Sequence, residues 1–174
     1  MVNIEKGNPE YYYYLGEVYN ELDQPASSII AYKNAVDKDS THLRSLFRLG
    51  KYFVVIQEKN QALFYIEKGL EFYPEDIALI NLKALALFND SQFERAIPWF
   101  EKLIELGEQK EYIYTKLAHC YYKNWNFEKA KNTYRILLDI DDTNEEAYFN
   151  LGHVFFKNKE LDSAQYFIKK SIEV

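Results

Sequence analysis

The chain has 174 residues, enough for one domain or one short repeat array with a buried core. Its 48% hydrophobic and 17% aromatic residues argue against disorder, and six glycines and four prolines are too few for an all-β fold built on tight turns. A formal net charge of -6 disfavours nonspecific attraction to nucleic acid or anionic lipid, the lone Cys120 excludes an internal disulfide, and no apolar run nears the roughly 20 residues that cross a bilayer. No leader with a cleavage site opens the sequence, so the expected location is cytoplasmic.

Past a short lead-in over residues 1–8, one pattern repeats every 34 residues without an insertion. In residues 9–42, Tyr12, Leu15, Tyr19 and Leu22 recur at helical spacing, and Ser28, Tyr32, Ala35 and Val36 do so again. The two expected helices are separated by Asp23, Gln24 and Pro25, with Pro25 suited to a first helical turn. Residues 43–76 repeat the frame with Leu46, Leu49, Gly50 and Phe53, then Ala62 and Ile66. His42, in the turn before them, is expected to be solvated.

Residues 77–110 carry Ile80, Lys83, Ala84 and Leu87, then Ala96 and Phe100, with Asn89, Asp90 and Ser91 offering caps between the helices. This unit departs most from the pattern: Lys83 stands where an apolar residue is expected, and Pro98 predicts a kink. Residues 111–144 give Tyr114, Leu117, Ala118 and Tyr121, then Ala130 and Tyr134. Residues 145–174 give Tyr148, Leu151, Gly152 and Phe155, then Ala164 and Ile168, in a slightly shortened copy. Small residues let paired helices approach and aromatics fill the space between pairs, so each pair buries its apolar face only against its neighbours.

The period, the helix-turn-helix form and the aromatic, Leu-Gly, aromatic and Ala positions resemble the tetratricopeptide repeat family over almost the entire chain. That resemblance implies an all-α solenoid of five repeats in a right-handed superhelix; the lack of a catalytic constellation leads to the expectation of no enzymatic activity and no cofactor. The resemblance further implies a groove lined by the first helix of each repeat. The groove positions are Tyr13 and Tyr14 in the first repeat, Arg44, Phe47, Arg48 and Lys51 in the second, and Leu82, Leu85 and Phe88 in the third. The fourth adds Tyr112, Lys116, His119, Tyr122 and Lys123, and the fifth Phe149, Asn150, His153 and Phe156. In the Tyr11 to Tyr14 run, register assigns Tyr12 to the core and turns Tyr13 and Tyr14 to the groove.

Such a groove is basic in its second, fourth and fifth repeats and apolar at its centre, which suits a peptide or protein segment with apolar anchors and carboxylates. Single-stranded nucleic acid is a weaker alternative because the net charge opposes it. No frame of three repeats places the Lys and Asn residues with which some members of the family clamp the carboxyl tails of chaperones.

No catalytic constellation emerges. Cys120 falls among packed positions as a small buried hydrophobe, and His119 and His153, at equivalent places in adjacent repeats, are not expected to share a metal. At the far end, Phe167, Ile168, Ile172 and Val174 form an apolar series with no following repeat or sealing polar helix in the sequence. Homodimerisation through this last helix is the alternative use of the chain.

Overall fold

The computed structural model describes residues 7–174, so the first six positions of the expected lead-in lie outside the described residues. Those described residues form ten α-helices and no strand. They are α1 (Pro9–Glu21), α2 (Pro25–Lys38), α3 (Leu43–Val55), α4 (Lys59–Phe72), α5 (Ile77–Asn89), α6 (Phe93–Glu105), α7 (Glu111–Lys123), α8 (Phe127–Ile140), α9 (Glu145–Lys157) and α10 (Leu161–Glu173). No helix among them is long and apolar enough to cross a membrane.

The 34-residue period reappears as backbone chemistry. The odd-numbered helices start at Pro9, Leu43, Ile77, Glu111 and Glu145, one period apart. Four of the five residues before them cap with their side chains: Asn8, His42, Asp76 and Asn144 accept from the backbone N–H groups of Glu10, Ser45, Leu79 and Ala147. Asp39 and Asp141 each fold a loop by accepting the backbone and hydroxyl hydrogens of the Thr two residues on.

Each odd helix also ends in the same way. Asp23, Gln57, Ser91, Trp125 and Lys159 have φ between 54° and 64°, in the left-handed region. The N–H of the next residue closes onto the carbonyl five back, as in Gln24 to Tyr19 and Glu160 to Phe155, both 2.9 Å. These are Schellman turns built without glycine. Ser91 therefore reverses the chain instead of capping α6, whose N-cap is Gln92. α6 itself ends in a Schellman turn with glycine, Gly107, at φ 89°.

The chain divides into two compact units, one up to Ala86 and one from Leu87 to Val174. In the first, α1 pairs with α2 and α3 with α4, and α2 packs on α3. Its core holds Tyr32, Ala35, Leu46, Leu49, Phe53, Ile66, Leu79 and Ile80, with the Phe53 and Tyr65 rings stacked at 5.7 Å. A Cβ on Gly16 would lie 2.5 Å from the Tyr32 ring and one on Gly50 2.8 Å from Ile66, which is why these helix positions carry no side chain. The out-of-pattern Lys83 is largely covered and pairs with Glu67 at 2.9 Å, so the packed helix supplies a carboxylate where an apolar residue was expected.

In the second unit α6 through α10 pack in chain order around Leu87, Phe100, Leu103, Ile113, Leu117, Tyr134, Leu137, Leu151 and Phe155. α6 runs unbroken past Pro98, which is exposed. Lys131 is buried yet satisfied: its ammonium meets Glu128 at 2.6 Å and Glu160 at 2.7 Å and lies 5.1 Å from the Phe155 ring centre. The Phe155–Phe167 stack, 5.2 Å apart and 6° from parallel, repeats the Phe53–Tyr65 geometry.

Candidate functional site

In the first unit the expected groove positions are drawn into the fold. Tyr13, expected to face a partner, is only 8% exposed, because its ring lies among those of Tyr14, Tyr32 and His42 at 5.4–5.9 Å. The Arg44 guanidinium covers it, 4.9 Å from the ring centre. Tyr12, assigned to the core, is half-buried instead, and Tyr14 is exposed as expected. His42, expected in solvent, is buried: its Nδ1 lies 2.9 Å from the Ser45 hydroxyl and its Nε2 3.2 Å from Glu10.

The basic character expected of the second repeat is largely neutralised. Arg44 donates to Glu10 at 2.7 Å, and Arg48 pairs with Glu17, which also accepts the Tyr32 hydroxyl hydrogen. Burial, and then that bond to Glu17, push the Tyr32 hydroxyl up to about 12. Leu82, also expected in the groove, is only 7% exposed, since it packs towards the space that Gly50 leaves open. Phe47 and Leu85 are half-buried, and Lys51 is exposed.

The second unit keeps its residues available. Phe88, at the end of α5, starts a chain of rings that runs across α7 to α9. Phe88 and Phe93 each stand 5.5 Å from His119, His119 stands 6.5 Å from Tyr122, Tyr122 stands 5.4 Å from His153, and His153 stacks on Phe149 at 6.3 Å. Helical spacing explains the alignment, because His119 and Tyr122 are three residues apart on α7 and Phe149 and His153 four apart on α9. Phe149 and Phe156 are exposed, while Tyr112, Asn150 and His153 are half-buried.

Lysines border this ladder. Lys116 lies 4.4 Å from the Phe88 ring centre and Lys123 5.9 Å from that of Tyr122. Among the described residues neither forms an ion pair, and nor does Lys157. Burial, then Lys123 and Lys116, lower the pKa of His119, while Glu146 opposes them, so the imidazole is neutral at pH 7. The face thus offers rings, two imidazoles and uncompensated ammonium groups, a combination suited to binding carboxylates beside apolar groups.

His119 and His153 flank the Tyr122 ring, and among the described residues no group of three or more His, Cys, Asp and Glu could hold a metal. Cys120 is fully buried, and burial pushes its thiol up to about 12, out of the range of a nucleophile at neutral pH. On α10, Phe167 and Ile168, expected to be exposed, are half-buried: Phe167 stacks on Phe155, and Ile168 fills the space beside Gly152. Ile172 and Val174 are exposed.

Three ring residues at this end of the fold were not assigned to the site from sequence. Phe93 and Phe127 open α6 and α8, and Trp125 sits in the turn before Phe127. Their signal was positional: Trp125 takes the turn position that Asp23, Gln57, Ser91 and Lys159 hold elsewhere.

Residues 111–144 and 145–174 match the family model of the tetratricopeptide repeat. A curated relative, tetratricopeptide repeat protein 37 of Xenopus laevis, is 24% identical over 125 residues, 71% of this chain, and the match spans about 7% of that protein's length. Among solved structures, YrrB, described as a TPR protein with an unusual peptide-binding site, superimposes with a TM-score of 0.89 at 18% identity over 97% of this chain and 87% of its own. A MamA protein gives 0.86 at 22% identity, covering 95% and 90% of the two chains. MamA from Desulfovibrio magneticus RS-1 gives 0.84 at 16% identity, covering 95% and 93%. At these identities the structural matches speak for the fold, and together with the unbroken period and the two matched repeats they show an all-α repeat fold of the tetratricopeptide type.

Proposed function

We propose that the chain is a protein-interaction scaffold whose α7–α9 face binds an acidic segment of a partner protein. The observation that carries this reading is the ring ladder from Phe88 to Phe149 beside Lys116, Lys123 and Lys157, none of which has a carboxylate partner among the described residues. Aromatic groups supply contact area at small entropic cost, and unpaired ammonium groups steer an acidic segment and fix its orientation. The peptide-binding site attributed to YrrB is consistent with this use of the fold.

Affinity capture from native lysate tests it, comparing the parent chain with Lys116→Glu/Phe149→Ala and with Glu71→Lys, an exposed reversal on α4. A nuclease-resistant protein partner held by the parent and by Glu71→Lys, but lost by the face variant, is the expected result. Equal retention by all three would refute the face. Loss of capture on nuclease treatment would favour the nucleic-acid reading.

A second reading, self-association through α10, is favoured by Ile172, which is 82% exposed, whereas its equivalents Val36 and Leu70 are buried and Ile104 and Leu138 are half-buried. Light scattering across a concentration series tests it, with a dimer that Ile172→Glu dissociates as the expected outcome and a strict monomer as the refuting one.

A further inference from the structure

The turn joining α7 and α8 carries a side chain that the stacking of helices does not require. At its left-handed position the other four repeats place the polar residues Asp23, Gln57, Ser91 and Lys159, whereas the fourth places Trp125, 77% exposed at φ 59°. Holding a bulky residue in that conformation and leaving an indole in water are both unfavourable. The Trp125 ring meets Phe127 edge-on at 5.9 Å, and with Tyr122, Lys123 and Lys157 they line a pocket of about 180 Å³.

The two lysines occupy equivalent positions at the ends of α7 and α9, where the earlier repeats carry Glu21, Val55 and Asn89. Neither forms an ion pair among the described residues. Tyr122 belongs both to this pocket and to the ring ladder, so the two surfaces are continuous.

We propose that this pocket is a specificity subsite for one aromatic side chain of an acidic partner segment, with Lys123 and Lys157 engaging the carboxylates on either side of it. The proposal rests on the reading of the α7–α9 face given above and names the residue class that the face selects. The indole and the Phe127 ring provide apolar walls for the anchor, and the two ammonium groups favour acidic flanks and repel basic ones.

The test is a titration of the 174-residue chain, followed by tryptophan fluorescence and calorimetry, with three acetylated, amidated pentapeptides: Asp-Glu-Phe-Glu-Asp, Asp-Glu-Ala-Glu-Asp and Lys-Lys-Phe-Lys-Lys. The acidic phenylalanine peptide is expected to bind at least about tenfold more tightly than either of the others. Trp125→Gly and Lys123→Glu/Lys157→Glu are each expected to weaken it by about tenfold or more. Glycine suits the left-handed turn, so the Trp125→Gly chain folds at least as stably as the parent and its loss of binding reports the missing ring. No preference for the acidic phenylalanine peptide overturns the subsite. Binding that survives both pocket variants but falls with Lys116→Glu/Phe149→Ala overturns the subsite too, while leaving the face reading intact.

Discussion

Replacing Gln57 or Lys159 by glycine is expected to stabilise the fold. Both occupy left-handed turns, at φ of 61° and 64°, and both are exposed, so truncation removes no core packing. An L-residue there costs about 1–2 kcal/mol, against which glycine loses about 0.5–1 kcal/mol more conformational entropy on folding, leaving a net gain of about 0.5–1 kcal/mol per site. For a chain of this size about 1 kcal/mol moves the Tm by about 2–4 °C, so each variant melts about 1–4 °C higher. The double variant gains about twice as much, since the two turns share no partner. Circular dichroism at the helical band, with urea midpoints alongside, provides the measurement. Gly107→Ala is the mirror control: at φ 89° with nothing within 4 Å of an added Cβ, it loses about 1 kcal/mol for conformational reasons alone. A lower midpoint for both glycine variants refutes the strain assigned to these turns.

Gly152→Ala is expected to destabilise the chain by about 1–3 kcal/mol despite the better helix propensity of alanine, because the new Cβ falls 2.6 Å from Ile168 Cγ1 and 3.0 Å from the Ile168 backbone nitrogen, which cannot rotate away. Thermal melting checks it, and an unchanged midpoint would mean that α9 and α10 separate freely. Lowering the pH through 6.5, the ordinary value for histidine, is expected to reduce stability. The pKa of His119 is lowered in the fold, so the unfolded chain binds its proton first and stability rises with pH across that window. Urea midpoints at pH 7 and pH 5.5 for the parent and His119→Phe measure this, and an equal fall in both chains would assign the effect to other groups.

Sequence periodicity was enough to locate the helix pairs, since the contacts that define them lie one fixed interval apart and the side chains in them are apolar. It could not decide the fate of polar side chains. Arg44 and Arg48 read as free because Glu10 and Glu17 lie 34 and 31 residues earlier, and only the packing of α1 and α3 on α2 brings them together. His42 reads as a loop residue for the same reason, although its ring joins α1 to α3 through Glu10 and Ser45. The 34-residue register marks Tyr12 as the packed position, whereas the rings of Tyr32 and His42 and the Arg44 guanidinium close around Tyr13. On α7, Lys116 and Lys123 form no ion pair among the described residues, so the basic character read there is not cancelled by packing. Trp125 falls outside the groove assignment because a turn residue carries no helical periodicity; only its departure from the polar residues at the same place in the other repeats marks it.

The burial of Cys120 also has a practical side for chemistry on this protein. With its thiol out of reach and its pKa pushed up to about 12, the native cysteine presents almost no thiolate to maleimide or iodoacetamide reagents at neutral pH. A cysteine introduced at an exposed turn such as Gln57 is therefore the preferred target for a dye or spin label, in a background that needs no cysteine removed. The same turn position recurs in every repeat, and Schellman bonds fix its backbone whatever side chain it carries, so each pair of helices comes with its own attachment point.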